Sequence, residues 1–226
     1  MSFHLDLARE TTTERQYLLA SPIIERALEG TVSLVEYVSF LTQAYHHVRH
    51  TVPLLMATGA RLSPEQEWLR EAVASYITEE LGHQEWVLND IAACGFDREA
   101  ARCSMPSPAT ELMVAYAYDT VQRVDPLGFF GMVHVLEGTS VAIATRVAQR
   151  LRERLGLPER AFTYLDSHGS LDVGHTHFFE SLVDRLDQER DRRVIVHAAR
   201  MFYRLYAEVF RTLPVPEHVC TAVQRV

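Results

Sequence analysis

Apolar residues recur every three or four positions along most of the chain, the spacing that places them on one face of an α-helix. The alternating pattern of half-buried strands and the Asn-Gly dipeptides of tight hairpins do not occur. The pattern therefore predicts an all-α protein. Because no internal repeat, low-complexity tract or long linker interrupts it, we expect residues 1–226 to form a single helical domain.

Glycine and proline punctuate this pattern and predict where the helices end. After Gly30-Thr31 comes a helical segment of roughly 25 residues, which Pro53 should kink or break. A second helix should begin at Pro64 and stop at Gly95. A loop containing the sequence MPSPAT follows at 105–110. The later helical segments are predicted near 109–123, from Asp125-Pro126 to Gly156, from Pro158 to about Leu186, and over 192–213.

Composition narrows the classes of protein that fit. The chain is 47% hydrophobic with a net charge of −8, and its like charges are not clustered, which argues against nucleic acid and anionic membranes as partners. The polar start lacks the apolar core of an export signal, and no run approaches the ~20 apolar residues of a membrane span. Three cysteines without CxxC spacing argue against disulfides or a thiolate zinc site. We expect a cytoplasmic protein with free thiols.

Two predicted helices carry acids and histidines in their interior. Glu80 and His83 are three positions apart, which places both on one face of a helix, and Glu79 is an alternative to Glu80. Glu137 follows the apolar stretch GFFGMVHVL, where its burial would be costly unless it were paired or bound to a metal. His134 shares the face of Glu137. Taken singly, Glu80 and His83 also fit an ordinary solvated helix face.

The segment HGSLDVGH carries the most specific pattern. His168, Asp172 and His175 lie within about 60° of arc on a helix, so they point the same way. The two histidines are ~10.5 Å apart along the axis, which suits two metal ions better than one. Oxygen and nitrogen ligands of this kind favour iron, with manganese as an alternative. With eleven histidines in the chain, each motif alone could also arise by coincidence.

Several further residues are candidates for a substrate pocket or for supporting the ligands, although ordinary core roles explain them as well. His46 and His50 share a helix face with Gln43, and Tyr45 is adjacent. Phe129, Phe130 and Met132 precede Glu137 by one or two turns and would line an apolar pocket if they faced the metals. The candidates for the pocket or for orienting the ligands are Tyr45, His46, His50, Phe130, His134 and His177.

The order of these motifs resembles the haem-oxygenase-like di-iron oxidases and oxygenases, relatives of the thiaminase II (TenA) and pyrroloquinoline-quinone synthase (PqqC) proteins. The pattern is Glu80-x-x-His83, then Glu137, then His168-x-x-x-Asp172-x-x-His175. The intervals, 54 residues from His83 to Glu137 and 31 from there to His168, also fit. The resemblance covers about residues 20–212, and its His/Asp/His element is the specific part.

The resemblance implies a bundle of about seven to eight helices, a homodimer, and an iron pair that activates O2 to oxidise a small or lipid-like substrate. Its six ligands would be Glu80, His83, Glu137, His168, Asp172 and His175. We expect His83 and His168 on one iron, and Glu137, Asp172 and His175 on the other. Glu80 would lie near both.

Related proteins supply the alternatives. A thiaminase needs a nucleophilic cysteine in the core, whereas Cys94, Cys103 and Cys220 are predicted at a helix end, in a loop and in the tail. A haem oxygenase needs an axial histidine on an early helix, for which His46, His47 and His50 are candidates, but haem would leave the six-residue pattern unexplained. A cofactor-independent oxidase, or a protein that binds metal or a small molecule without turnover, also remains open.

Overall fold

A computed structural model describes residues 2–214, except for the side chains of residues 169–175. Within that range the regular structure is helical, with no strand, and the predicted all-α class is confirmed. The helices are α1 (Phe3–Glu10), α2 (Thr12–Leu19), α3 (Pro22–Glu29), α4 (Leu34–Val48), α5 (Thr51–Arg61), α6 (Glu67–Glu80), α7 (His83–Ala93), α8 (Arg98–Cys103), α9 (Pro108–Asp119), α10 (Gly128–Leu155), α11 (Thr163–Val183) and α12 (Glu189–Arg211).

The described part of the chain contains twelve α-helices, more than the predicted seven to eight. The predicted helix over residues 64–94 is interrupted between α6 and α7, because Gly82 adopts a left-handed conformation with φ of 94°. The segment after Gly30 breaks at Arg49-His50 and not at Pro53. Pro53 lies in the first turn of α5, where a missing N–H costs no helical hydrogen bond. The polar N-terminal region adds α1 and α2.

Helix α10 lies against α11 and α12. At Gly131 of α10 an added Cβ atom would lie 2.6 Å from the backbone nitrogen of Ala199, so glycine permits the close approach of α12. By length and composition alone α10 could cross a membrane, but half of its most apolar window is buried inside the protein. A helix in the core of a protein can have the same length and composition, and α10 packs against α11 and α12 as such a helix does.

A buried carboxylate joins α7 to the start of α11. Asp90 of α7 is fully buried and accepts hydrogen bonds from the backbone nitrogens of Thr163 at 3.2 Å and Tyr164 at 2.9 Å. The hydroxyl of Thr163 donates a further hydrogen bond to the same carboxylate. These backbone N–H groups begin α11 and have no partner within their own helix, so Asp90 caps α11 from a neighbouring element.

We expect Asp90→Ala to lower the free energy of unfolding by about 1–2 kcal/mol, because the first N–H groups of α11 would be buried without a partner. The measurement is urea denaturation followed by circular dichroism. Asp97→Ala is the matched control, since Asp97 caps α8 at the surface by accepting from the nitrogens of Glu99 and Ala100. If Asp90→Ala lowers the free energy of unfolding no more than Asp97→Ala does, the buried cap on α11 stabilises the protein no more than a surface cap.

The same carboxylate predicts a pH dependence. Burial raises the pKa of Asp90 from 3.8 to about 6, although the hydrogen bonds from Thr163 and Tyr164 act against the rise. Between these two values the folded state holds a proton that the unfolded state has released, so stability falls as pH rises. We expect the unfolding free energy of the wild type, relative to Asp90→Asn, to decrease across this range and to level off above it. Parallel curves for the two proteins would contradict this.

Candidate metal centre

Three of the predicted ligands meet in the interior of the bundle. Glu80 is the last residue of α6, His83 is the first residue of α7, and His168 lies in α11. One ligand atom from each lies within 4.8 Å of the others. The side chains of Glu80 and His83 are only 11% and 4% exposed. Imidazole nitrogens beside a buried carboxylate form a donor set that fits a divalent iron ion.

Glu80 and His83 reach each other by a different route from the predicted one. They do not share the face of one helix, because α6 ends at Glu80 and α7 begins at His83. Leu81 is extended and Gly82 is left-handed, and this turn brings His83 Nδ1 to 3.0 Å from Glu80 Oε2. The pairing predicted from the spacing is present, while the continuous helix predicted for it is wrong.

The backbone fixes the orientation of His168. Its Nδ1 lies 2.9 Å from the carbonyl oxygen of Tyr164, and a carbonyl can only accept, so Nδ1 donates. This tautomer places the ring's lone pair on Nε2, the arrangement in which histidine commonly binds a metal. The ring centroid of His168 lies 5.2 Å from that of His83 and 4.5 Å from that of Tyr164.

Glu137 lines a small cavity together with two of the three ligands, Glu80 and His168. The cavity has a volume of about 60 Å³, and its polar lining includes His47, Glu80, Glu137 and His168. The Oε2 atom of Glu137 is buried. The side chains of Asp172 and His175 lie outside the described residues. The assignment of His83 and His168 to one ion, and of Glu137, Asp172 and His175 to a second, therefore stays a prediction.

A second, largely apolar cavity of about 70 Å³ adjoins the first. Both cavities are lined by Ser140, Tyr164, His168 and Tyr206, so His168 stands at their junction. Aliphatic residues of α3 and α10 form much of the remaining wall, and these are Ile23, Ile24, Ala27, Ile143, Ala144 and Val147. A molecule in this cavity would have its apolar part held away from water and one end beside His168.

The sequence indicated His47 only as a candidate axial ligand of haem, and not as a pocket residue. Its side chain is buried at 2% exposure, and neither ring nitrogen has a hydrogen-bond partner among the described residues. Burial lowers the pKa of His47 to about 3, so the ring is neutral. It packs edge-on against Tyr206 and lines the cavity that contains Glu80 and Glu137. Its neighbours in the sequence gave no signal, because three histidines within five residues suggest several faces equally.

The other candidates from α4 and α10 lie elsewhere. His46 is paired with the hydroxyl of Ser104 at 2.9 Å, and Nδ1 of His50 with the hydroxyl of Tyr118 at 3.0 Å. Tyr45 is buried beside His46, and Phe130 is buried in the core. None of these four predicted pocket residues lines the two cavities described above. Phe129 and Met132 do line the smaller one.

The remaining candidates, His134, His177 and Glu79, line neither described cavity and do not belong to the cluster of three ligands. Nε2 of His134 lies 3.4 Å from the hydroxyl oxygen of Thr11, and burial lowers the pKa of His134 to about 4. His177 is exposed, with Nδ1 3.4 Å from a carboxylate oxygen of Glu180. Glu79 is exposed and accepts a 3.4 Å hydrogen bond from Ser75. These positions favour Glu80 over Glu79 as the carboxylate of the cluster.

The fold and the cluster together define a haem-oxygenase-like helical bundle with acid and imidazole side chains at its centre. The family of iron-containing redox enzymes matches residues 38–207, and the chain belongs to this family. No functionally curated protein matches the chain.

Similar solved structures share the fold at low sequence identity. A domain of unknown function with a haem-oxygenase-like fold from Shewanella denitrificans has a TM-score of 0.83 and 23% identity, covering 92% of this chain and 90% of that chain. A TenA homologue from Pseudomonas syringae has a TM-score of 0.77 and 14% identity, covering 94% and 92%. A haem oxygenase from Leptospira interrogans has a TM-score of 0.75 and 16% identity, covering 94% and 100%. The haem-oxygenase-like fold predicted from the sequence is confirmed.

We expect substitutions of the adjacent residues His46 and His47 to change the free energy of unfolding in opposite directions. We expect His47→Phe to raise the free energy of unfolding of the metal-free protein by about 1 kcal/mol, because it replaces an unpaired buried polar ring with an apolar ring of similar shape. His46→Phe should lower it by about 1 kcal/mol, because the hydrogen bond between His46 Nε2 and the hydroxyl of Ser104 is lost. Chemical denaturation of both variants measures the two changes in the free energy of unfolding. A loss of stability in His47→Phe would mean that this ring serves only the core.

Proposed function

We propose that the protein is a non-haem di-iron oxidase or oxygenase that acts on a small or lipid-like organic substrate. The observation that carries the proposal is the convergence of Glu80, His83 and His168 beside a cavity that Glu137 also lines. Membership of the iron-containing redox enzyme family supports it independently. Manganese is the alternative metal for the same ligands.

The proposed ligands divide between two ions. His83 and His168 would hold one iron, Glu137, Asp172 and His175 the other, and Glu80 would lie near both. The carbonyl of Tyr164 supports this role for His168, since it accepts from Nδ1 and so places the lone pair of the ring on Nε2. A bound iron pair supplies the activation of O2, which serves as co-substrate, for oxidation of a substrate held beside it.

The chain's own residues would position that substrate. The apolar cavity excludes water and suits a hydrocarbon part of the molecule, with its reacting end at the junction formed by Tyr164, His168 and Tyr206. His47, a neutral ring without a partner among the described residues, can give or accept one hydrogen bond there. We infer that a polar group of the substrate satisfies it.

Two alternatives come from the related folds. A haem enzyme would use an early histidine. His46 and His50 line neither described cavity, and Nε2 of His46 is engaged by the hydroxyl of Ser104, so His47 is the candidate axial ligand for this alternative. A thiaminase-like reaction would need a reactive cysteine. Cys94 lines neither described cavity, and burial raises the pKa of its thiol to about 11, which keeps it protonated. Cys103 is exposed on α8, a helix where the sequence predicted a loop.

Metal content tests the proposal. Protein reconstituted anaerobically with Fe(II) should bind about two irons per chain and develop an O2-dependent absorption band. We expect His83→Ala and His175→Ala each to lower the iron content to about one per chain, because each removes a ligand from a different ion.

Glu79→Ala is the control, since this exposed neighbour should leave the iron content unchanged. Iron content that is the same in wild type, His83→Ala and His175→Ala would reject the proposed ligands. Stoichiometric binding of added haemin, with a Soret band lost in His47→Ala, would favour a haem protein instead.

A further inference from the structure

A tryptophan ring joins the candidate metal centre to the protein surface. Trp86 lies one helical turn after His83 in α7, and the two rings stack with centroids 4.0 Å apart and an interplanar angle of 30°. Trp86 is half-buried. It forms part of a surface depression of about 460 Å³ with Asn89, Arg160, Thr163 and Ser167. The same indole therefore contacts a candidate iron ligand on one side and borders solvent on the other.

The proposed chemistry creates a need for such a connection. Oxygenation takes four electrons to reduce O2, of which the substrate supplies two and an iron pair two, so the pair must be reduced again before the next turnover. The cluster is buried, since the side chains of Glu80 and His83 are 11% and 4% exposed. The adjoining cavities are lined largely by apolar side chains, which disfavours the entry of a charged reductant.

We propose that Trp86 is the electron-transfer residue through which a one-electron donor at the protein surface reduces iron bound at His83. Each donor molecule gives up one electron and converts one Fe(III) to Fe(II), so two donors restore an iron pair. The indole is unchanged overall. The donor would approach at the surface depression that Trp86 and Arg160 border. This inference rests on the proposed function, because it requires iron at His83.

The chain offers a matched control. Trp68 is the other of two tryptophans, is also half-buried, and lies under the guanidinium of Arg185 at 4.0 Å. It is on the same helix as Glu80 but about 18 Å away along the helix axis. Each tryptophan variant therefore leaves a single fluorescent reporter at a known position relative to the cluster.

The main test measures reduction of the iron. Protein loaded with iron and oxidised to Fe(III) is mixed anaerobically with reduced methyl viologen, a cationic donor that the largely apolar cavities disfavour, and the decay of the ferric absorption is followed by stopped flow. We expect Trp86→Leu to slow reduction on the order of tenfold. Trp86→Phe, which keeps a stacked ring, should slow reduction less than Trp86→Leu does, and Trp68→Leu should be reduced at the wild-type rate.

A second readout does not depend on reduction. Binding of Co(II) should quench the emission of Trp68→Phe, which retains Trp86, and leave the emission of Trp86→Phe nearly unchanged. Equal quenching in both would overturn the proposed contact. Iron content is measured for every variant. If Trp86→Leu does not bind iron, the inference is judged by comparing Trp86→Phe with Trp68→Phe in the rate of iron reduction and in quenching by Co(II).

The outcomes separate this inference from the proposed function. Normal iron binding with reduction of Trp86→Leu at the wild-type rate overturns the route through Trp86 and leaves the iron enzyme intact. Wild-type protein that binds no iron overturns both. Slower reduction in the Trp86 variants alone, at unchanged iron content, supports the route.

Discussion

The burial of Glu80, His83 and His168 inside an apolar bundle is the constraint on which this structure depends. Polar groups taken out of water cost free energy unless they are paired or bound to a metal. The hydrogen bond from His168 Nδ1 to the carbonyl of Tyr164, at 2.9 Å, compensates in part and orients that ring. His83 Nδ1 lies 3.0 Å from Glu80 Oε2 but makes no hydrogen bond among the described residues, so this pair is the part of the cluster that a bound metal would stabilise most.

Holding that centre together requires long-range order, because its residues come from three helices. The left-handed turn at Gly82 sets Glu80 of α6 against His83 of α7. Asp90, two turns further along α7, binds the first backbone nitrogens of α11 and so fixes the start of the helix that carries His168. One short helix thus supplies a ligand, an anchor for the partner helix and, at Trp86, a ring against the ligand. The position of α7 therefore determines how the residues of the site are placed relative to one another.

Much of this could be predicted from local pattern, and the rest depended on packing. Helical periodicity identified the fold class, and residue spacing with the family resemblance identified Glu80, His83 and His168. The break at Gly82 was missed because a glycine within a helical pattern is usually tolerated, and its left-handed conformation follows from neighbouring elements. His46, His47 and His50 could not be distinguished, because the contact with Tyr206 that marks His47 comes from the distant helix α12.

The shared scaffold leaves the chemistry to a small number of central side chains. Structures with this fold include TenA homologues and haem oxygenases at 14% and 16% identity, so the arrangement of helices does not by itself select a reaction. Among the described residues, neither Cys94 nor Cys103 lines the two cavities, and the early histidines His46 and His50 do not line them either. What faces the interior is a set of carboxylates and imidazoles next to an apolar space. Such ligands can bind iron directly through oxygen and nitrogen, and the adjoining apolar wall supports the proposal that part of the substrate is apolar.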